Sequence, residues 1–468
     1  MDGSFGFHDY EEHKARASAQ EFERMVREDD FGFLDLFEID QIYQYYLRTN
    51  NLSKAAQITG YALNTYPNHA ELHHKHAQVL AEQGHFDRAI EHIELARGLA
   101  PAEREYLHVQ ADILSQAERY DQALKLLEDH LQEVPVPEEL LLQMGNIAQI
   151  ARQTQQSETY YREALALLPE FEDALFELAF LLEAQDRIGE AIQQYQFFLD
   201  QYPYNSAVWY QLGNMLRKAG NYEQALEAYE YTLAIDEDFA AAYFSSGLVL
   251  MEMDRHAHAL RAFLASISFN EHDLSAIYHA AECFESLELY KDAIKYYKRA
   301  SKLDPEYIDA LTGLGFCLEK CEKYLEAIHF YQKAFKIDDE NPDLCLSLAI
   351  CEYKLGNRNG SYLYLQRALQ LAPDEISLWQ DWAQLLYDAQ NFEGAVTYLE
   401  EGIKRLPKAS PLYYQCAAFA YEAGLREKGL LYLENALLMN YEGHYLLFHI
   451  DQSLKYEPAV VALIEQYK

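Results

Sequence analysis

Two consecutive stretches decide the fold when one is laid over the other: Glu172–Asn205, EDALFELAFLLEAQDRIGEAIQQYQFFLDQYPYN, and Ser206–Phe239, SAVWYQLGNMLRKAGNYEQALEAYEYTLAIDEDF. Each is 34 residues long. Both hold a small residue in the eighth place (Ala179, Gly213) and in the twentieth (Ala191, Ala225), with apolar residues around these at the three- and four-residue steps of a helix face. Self-similarity at a fixed period means that one supersecondary unit is stacked along the chain.

The register extends in both directions. Pro67, Pro101, Pro135, Pro169 and Pro203 follow one another at 34 residues, and Pro305, Pro373 and Pro407 sit on the same grid. Phased 31 residues before the proline place, the first repeat starts at Leu36 and the twelfth at Ser410, with no insertion or deletion. The twentieth place is always small: Ala55, Ala89, Ala123, Ser157, Ala191, Ala225, Ala259, Ala293, Ala327, Ser361, Ala395 and Gly429. The eighth place is Ala or Gly in every repeat but the first, where Tyr43 stands. A small side chain lets two helix backbones approach where a larger one would overpack at a cost of about 1–3 kcal/mol, so both columns read as packing seams.

At this point the chain resembles the tetratricopeptide-repeat family. The sixth repeat, with Trp209, Leu212, Gly213, Ala225 and Tyr229, and the eleventh, with Trp379, Trp382, Ala383, Ala395 and Pro407, carry the likeness. The resemblance implies an all-α, right-handed superhelical solenoid of helix–turn–helix repeats over residues 36–443. Residues 1–35 then form an acidic N-terminal segment and cap, and 444–468 capping helices. Departures are local. Glu237, Glu271, Asp339 and Tyr441 fill the proline place in four repeats, and His130 and Phe198 stand where a small residue is usual.

Charge bounds the partners. With 38 basic and 76 acidic residues the net formal charge is −38, which opposes binding to phosphate backbones and argues against a nucleic-acid partner. No apolar run is long enough to span a membrane, and the N-terminus lacks the basic and apolar regions of a secretory leader, so a cytoplasmic location is expected. Cys283, Cys317 and Cys351 lie one repeat apart and read as buried packing residues, while Cys321, Cys345 and Cys416 are scattered and Cys317 with Cys321 lacks further ligands for a metal. His69, His73, His74 and His76, with His85 and His92 nearby, read as a solvated helix face rather than a metal site, because no zinc-binding arrangement accompanies them. No nucleophile elbow, phosphate loop or dinucleotide fingerprint appears, and the segments outside the repeats are too short for a catalytic domain. The expectation is a protein without enzymatic activity, cofactor or metal.

The ends read as caps, since a solenoid's terminal units need their apolar faces covered. At the C-terminus Tyr445, Leu446, Leu447, Phe448 and Ile450 continue the pattern of a first helix, and a shorter one starts near Pro458. At the N-terminus residues 1–16 are expected to be mobile, Ala17–Arg27 helical, and Phe31, Phe33, Leu34 and Leu36 to lead into the first repeat.

In the family the first helix of each repeat lines a concave groove. Carrying over the usual groove places, the second, fifth, ninth, twelfth and thirteenth, gives an uneven surface. The first four repeats place only Phe37 there as an aromatic, whereas the other eight place Phe176, Phe180, Tyr210, Phe244, Tyr278, Phe316, Tyr353, Tyr387, Tyr414 and Tyr421. Glu183, Glu252, Glu282, Glu285, Asp309, Glu319 and Asp388 share these places with only Arg217, Lys218, Lys320 and Lys354, and Asn214 with Arg217 and Lys218 is all that approaches a basic clamp. Aromatics flanked by carboxylates suit a basic or apolar protein segment bound by a monomer. Two alternatives stay open: the rings pack against one another between repeats, or the chain is a structural subunit that assembles through apolar ends.

Overall fold

The structure, a computed structural model, describes residues 5–28, 32–132 and 135–468, with side chains from Lys14 onward. No strand occurs among the described residues, and from Leu36 to Met439 the helices follow in pairs, such as Leu274–Ser286 with Tyr290–Leu303 and Ile308–Lys320 with Tyr324–Ile337. The chain divides into two compact units, Met1–Ala228 and Tyr229–Lys468. Where Glu237, Glu271 and Asp339 replace proline, the second helices still end two residues earlier, at Ile235, Phe269 and Ile337.

Local chemistry sets the turns. The fifteenth residue of every repeat, just past the end of its first helix, has φ between +52° and +82°, from Asn50 to Gly356. That left-handed step lets the next amide reach back over the helix end, as where Leu289 donates to the Phe284 carbonyl at 2.8 Å and His85 to that of Leu80 at 2.8 Å. Side-chain caps start several helices: Asp35 and Glu38 form a reciprocal capping box, and Asn205, Asp273 and Asn341 accept first-turn amides.

Between the helices, small residues in the eighth place meet large ones in the twenty-fourth. A Cβ added to Gly145 would stand 2.2 Å from Tyr161, one added to Gly247 2.6 Å from Phe263, and one added to Gly315 2.5 Å from Tyr331. Those rings are fully buried. The first repeat inverts the pair: Tyr43 in the eighth place is buried, and the buried twenty-fourth residue is Thr59. Volume is conserved while its two halves change sides, which explains the departure seen in the sequence.

The proline place joins neighbouring repeats. In the fourth place of the following repeat, His73 Nε2, Trp209 Nε1 and the Tyr413 hydroxyl lie 2.9, 2.8 and 3.1 Å from the carbonyl oxygens of Pro67, Pro203 and Pro407. Trp379 reaches the Pro373 carbonyl at 3.5 Å.

Both ends are covered. The first helix runs Phe5–Glu28 and so begins well before Ala17, making residues 5–16 helical. Residues 1–4 and Phe31 lie outside the described residues. Ala19, Phe22 and Met25 are buried, Tyr46 donates to the Ala19 carbonyl at 3.1 Å, and Lys54 pairs with Glu23 at 2.5 Å. At the other end the expected first helix is cut to Tyr445–Ile450, because Asp451 accepts from the Ser453 amide at 2.8 Å and starts a 3-10 turn, Gln452–Tyr456. Leu447, Leu454, Val460 and Ile464 then pack into the core with Leu433 and Leu437.

Candidate partner-binding face

In the first unit the exposed sides of the early first helices satisfy themselves. Lys75 holds Asp40 and Glu71, each at 2.6 Å, and Gln143 bridges His108 and Asp112 through bonds of 2.7–2.9 Å. Phe37 is exposed beneath the Lys14 ammonium. Farther along, Phe180 stands out at 59% exposure. Phe176 is half-buried, its ring 6.3 Å from that of Tyr195. Tyr210 and Asn214 are half-buried, Asn214 bonding to Gln211, and Glu183 is ion-paired with Lys218.

In the second unit the expected aromatics lean on one another. Phe244 contacts Phe263 and His279; Tyr353 meets Trp382 at 5.7 Å; Tyr387 stacks on Phe419 at 4.3 Å; and Lys320 lies over Phe316. They are half-buried. The same rings therefore pack on neighbours and keep part of their surface exposed.

One group draws rings and carboxylates together. The Tyr278 hydroxyl donates to Glu282 Oε1 at 2.9 Å, and His279 Nδ1 lies 2.6 Å from Glu282 Oε2. Tyr307, in the last place of the eighth repeat, brings its ring to 5.0 Å from Tyr278, and exposed Asp309 follows it. Burial first, then the charges of Glu282 and Asp309, hold the Tyr278 phenol far above its ordinary range; Tyr307 is raised by burial and Asp309. The position therefore sets carboxylates beside aromatic rings. Tyr307 was missed because it lies outside the usual groove places, although its place directly before a first helix makes it that helix's neighbour. Farther on, desolvation and then the charge of Asp343 raise the Asp381 carboxyl.

Glu252 is exposed, but Glu285 and Glu319 serve the interior. Glu285 Oε2 accepts from the Tyr297 hydroxyl at 2.8 Å and lies 3.5 Å from Cys317 Sγ; Glu319 repeats this with Tyr331 at 3.2 Å and Cys351 at 3.7 Å. Burial raises both carboxyls. All six cysteines are free and five are buried; burial pushes the Cys283 thiol up to about 12 and Cys345 to about 11.

The histidine stretch corrects the sequence expectation of a solvated face. His73, His74 and His76 are buried. His73 fills the fourth place, where an aromatic ring reaches the preceding proline carbonyl, and its Nδ1 lies 2.9 Å from that of His92. His76 Nδ1 lies 2.7 Å from the Thr59 hydroxyl, and His74 packs on Tyr106. The imidazoles act as compact aromatics with polar edges. No group of three metal-binding side chains occurs among the described residues, and no described helix is long and apolar enough to cross a membrane.

Models of the tetratricopeptide repeat match residues 74–136, 142–206, 206–239, 274–307 and 320–381, together more than half of the chain. No curated protein matches it. Among solved structures, YrrB, described as a TPR protein with an unusual peptide-binding site, is 20% identical over 40% of this chain and 96% of its own, with a TM-score of 0.38. MamA is 20% identical over 36% of this chain and 92% of its own, TM-score 0.35. MamA of Desulfovibrio magneticus RS-1 is 20% identical over 36% and 94%, TM-score 0.34.

Proposed function

Because this chain belongs to the tetratricopeptide-repeat family, we propose that it is a non-catalytic protein-interaction scaffold whose first-helix face takes a basic, aromatic-bearing segment of a protein partner. The observation that carries this reading is the cluster of Tyr278, Tyr307, Glu282 and Asp309. A lysine or arginine set against these rings gains about 0.5–2 kcal/mol from the ring faces. Exposed Asp343 and Asp381 add acidic side chains in the tenth and eleventh repeats. Half-buried rings such as Phe244 are already held in place by packing, so little side-chain entropy is lost when a partner's aromatic docks. Six free cysteines support a reducing, cytoplasmic setting.

Once a partner is captured from the native cell, the test is Asp309→Asn with Asp343→Asn, both exposed positions that leave the core alone. Slower, less salt-sensitive association is expected, and unchanged association would move the binding surface elsewhere. Leu431, Leu438 and Tyr445 are more than half exposed on the last repeat and cap, which favours a second reading, assembly through that end. Size exclusion with light scattering separates them: a monomer at all concentrations supports the first, a concentration-dependent dimer the second.

A further inference from the structure

The helix Tyr290–Leu303 opposes the charge of the chain that contains it. It carries Lys291, Lys295, Lys298, Arg299 and Lys302 against the single acid Asp292, in a protein of net charge −38. The four lysines follow the i, i+4, i+7, i+11 spacing of one helix face, and the buried Ala293, Tyr297 and Ala300 occupy the opposite one. The stripe therefore points away from the core. Like charges four residues apart destabilise a helix by a few tenths of a kcal/mol per pair, so folding gives no reason for Lys291 beside Lys295 or Lys298 beside Lys302. The same four places in the eleventh repeat hold Glu393, Thr397, Glu400 and Lys404, and in the twelfth Glu427, Leu431, Glu434 and Leu438.

Neutralisation is incomplete. Lys295 pairs with Asp292 at 2.7 Å and Lys298 approaches Glu326 at 3.9 Å, while Lys291 and Lys302 make no ion pair among the described residues. Beside the stripe opens a cleft of about 570 Å3 with Leu264, Ile267 and Leu303 as its apolar surface and His272, Arg299 and Lys302 around it. Glu271 also borders it, its backbone carbonyl accepting from the Arg299 guanidinium. The seventh and ninth repeats add Arg261 and Lys336 in equivalent places without a counter-charge in either stripe.

We propose that this second-helix face of the seventh to ninth repeats is a second docking surface, which takes an acidic protein segment whose apolar side chain enters the cleft. Charge complementarity selects the segment, and the cleft fixes its register. The surface is independent of the basic-segment face, because it is formed by second helices and carries the opposite charge.

The test titrates the full-length protein with a fluorescein-labelled, Asp/Glu-rich peptide carrying one central phenylalanine, followed by fluorescence anisotropy at low and physiological salt. Binding that weakens with salt is expected. It should fall about tenfold or more in the combined variant Lys291→Gln, Lys295→Gln, Lys298→Gln, Lys302→Gln, and severalfold when the peptide's phenylalanine becomes serine. These lysines lie on the solvent side, so circular dichroism should show an intact fold. No peptide binding, or equal binding by the lysine variant, overturns the proposal. So does lysine-dependent binding only to phosphatidylserine vesicles, which would make the face a membrane reader.

Discussion

Replacing Gly315 with alanine should loosen the ninth repeat, and the size of the effect follows from one ring. The new Cβ would lie 2.5 Å from Tyr331 Cε1 and 2.6 Å from Cδ1, whereas carbon pairs settle at about 3.5–4.0 Å, so the ring must retreat by roughly 1 Å. Tyr331 is 1% exposed and its hydroxyl is held by Glu319, which leaves it little freedom. Overpacking of this kind costs about 1–3 kcal/mol, and the better helix propensity of alanine returns about 1. The eighth repeat shows how an alanine is accommodated. Ala281 and Tyr297 hold the same two places there, and Gly313 of the next repeat leaves room on the ring, its own hypothetical Cβ lying 2.5 Å from Tyr297 Cζ. For Tyr331 of the ninth repeat the corresponding place, in the tenth repeat, is taken by Ser347, beside the Tyr331 hydroxyl. Ser347→Gly should therefore rescue Gly315→Ala while weakening the parent. The assay is hydrogen exchange over Ile308–Lys320 and Tyr324–Ile337, since stacked repeats open locally. Unchanged exchange in Gly315→Ala, or strict additivity of the two substitutions, would refute the packing argument.

Glu288 and Glu322 hold φ of +59° at helix ends, so glycine at either position should raise the urea midpoint by an amount equivalent to about 0.5–1 kcal/mol; a lower midpoint would contradict this. Burial, then His92, Arg88 and His73, push the His76 imidazole down to about 4, and burial also lowers His74 and His92. Their folded-state values lie below the unfolded value of about 6.5, so this stability is present above pH ~6.5 and lost as pH falls towards 4. Urea unfolding at pH 7 and pH 5 should show the loss in the first unit, and His76→Gln should reduce it. Deleting the chain from Glu457 removes Val460 and Ile464 from the core around Leu433 and Leu437 and should cause dye binding or aggregation; an unchanged melt with monodispersity would make that segment a tail.

The repeat was legible because a volume constraint recurs at one period: the small eighth place is visible in every repeat but the first. What fills it is not, since Tyr161, Phe263 and Tyr331 become partners only through contact, and the exchange of Tyr43 for Thr59 looks like an exception until volumes are compared across the helix pair. His73, His74 and His76 misled because their polarity suggests solvent, yet a neutral imidazole bonded to a carbonyl, hydroxyl or second imidazole is at home in a core. Groove places were legible as positions, but side-chain direction was not. Glu285 and Glu319 share a period with surface acids and turn inward because a hydroxyl and a thiol from adjacent helices offer them hydrogen bonds. Tyr307 escaped the pattern because the neighbourhood of Tyr278 is assembled across a repeat boundary.

The central claim is that the second unit's first-helix face reads positive charge on a protein partner. The measurement that tests it most directly is the association rate of the captured partner, followed by stopped-flow fluorescence at several salt concentrations, for the parent and for Asp309→Asn/Asp343→Asn. The account predicts a rate that falls with salt in the parent, and one that is slower and flatter in the variant, with dissociation little changed. Identical rates and identical salt dependence in the two proteins would contradict it.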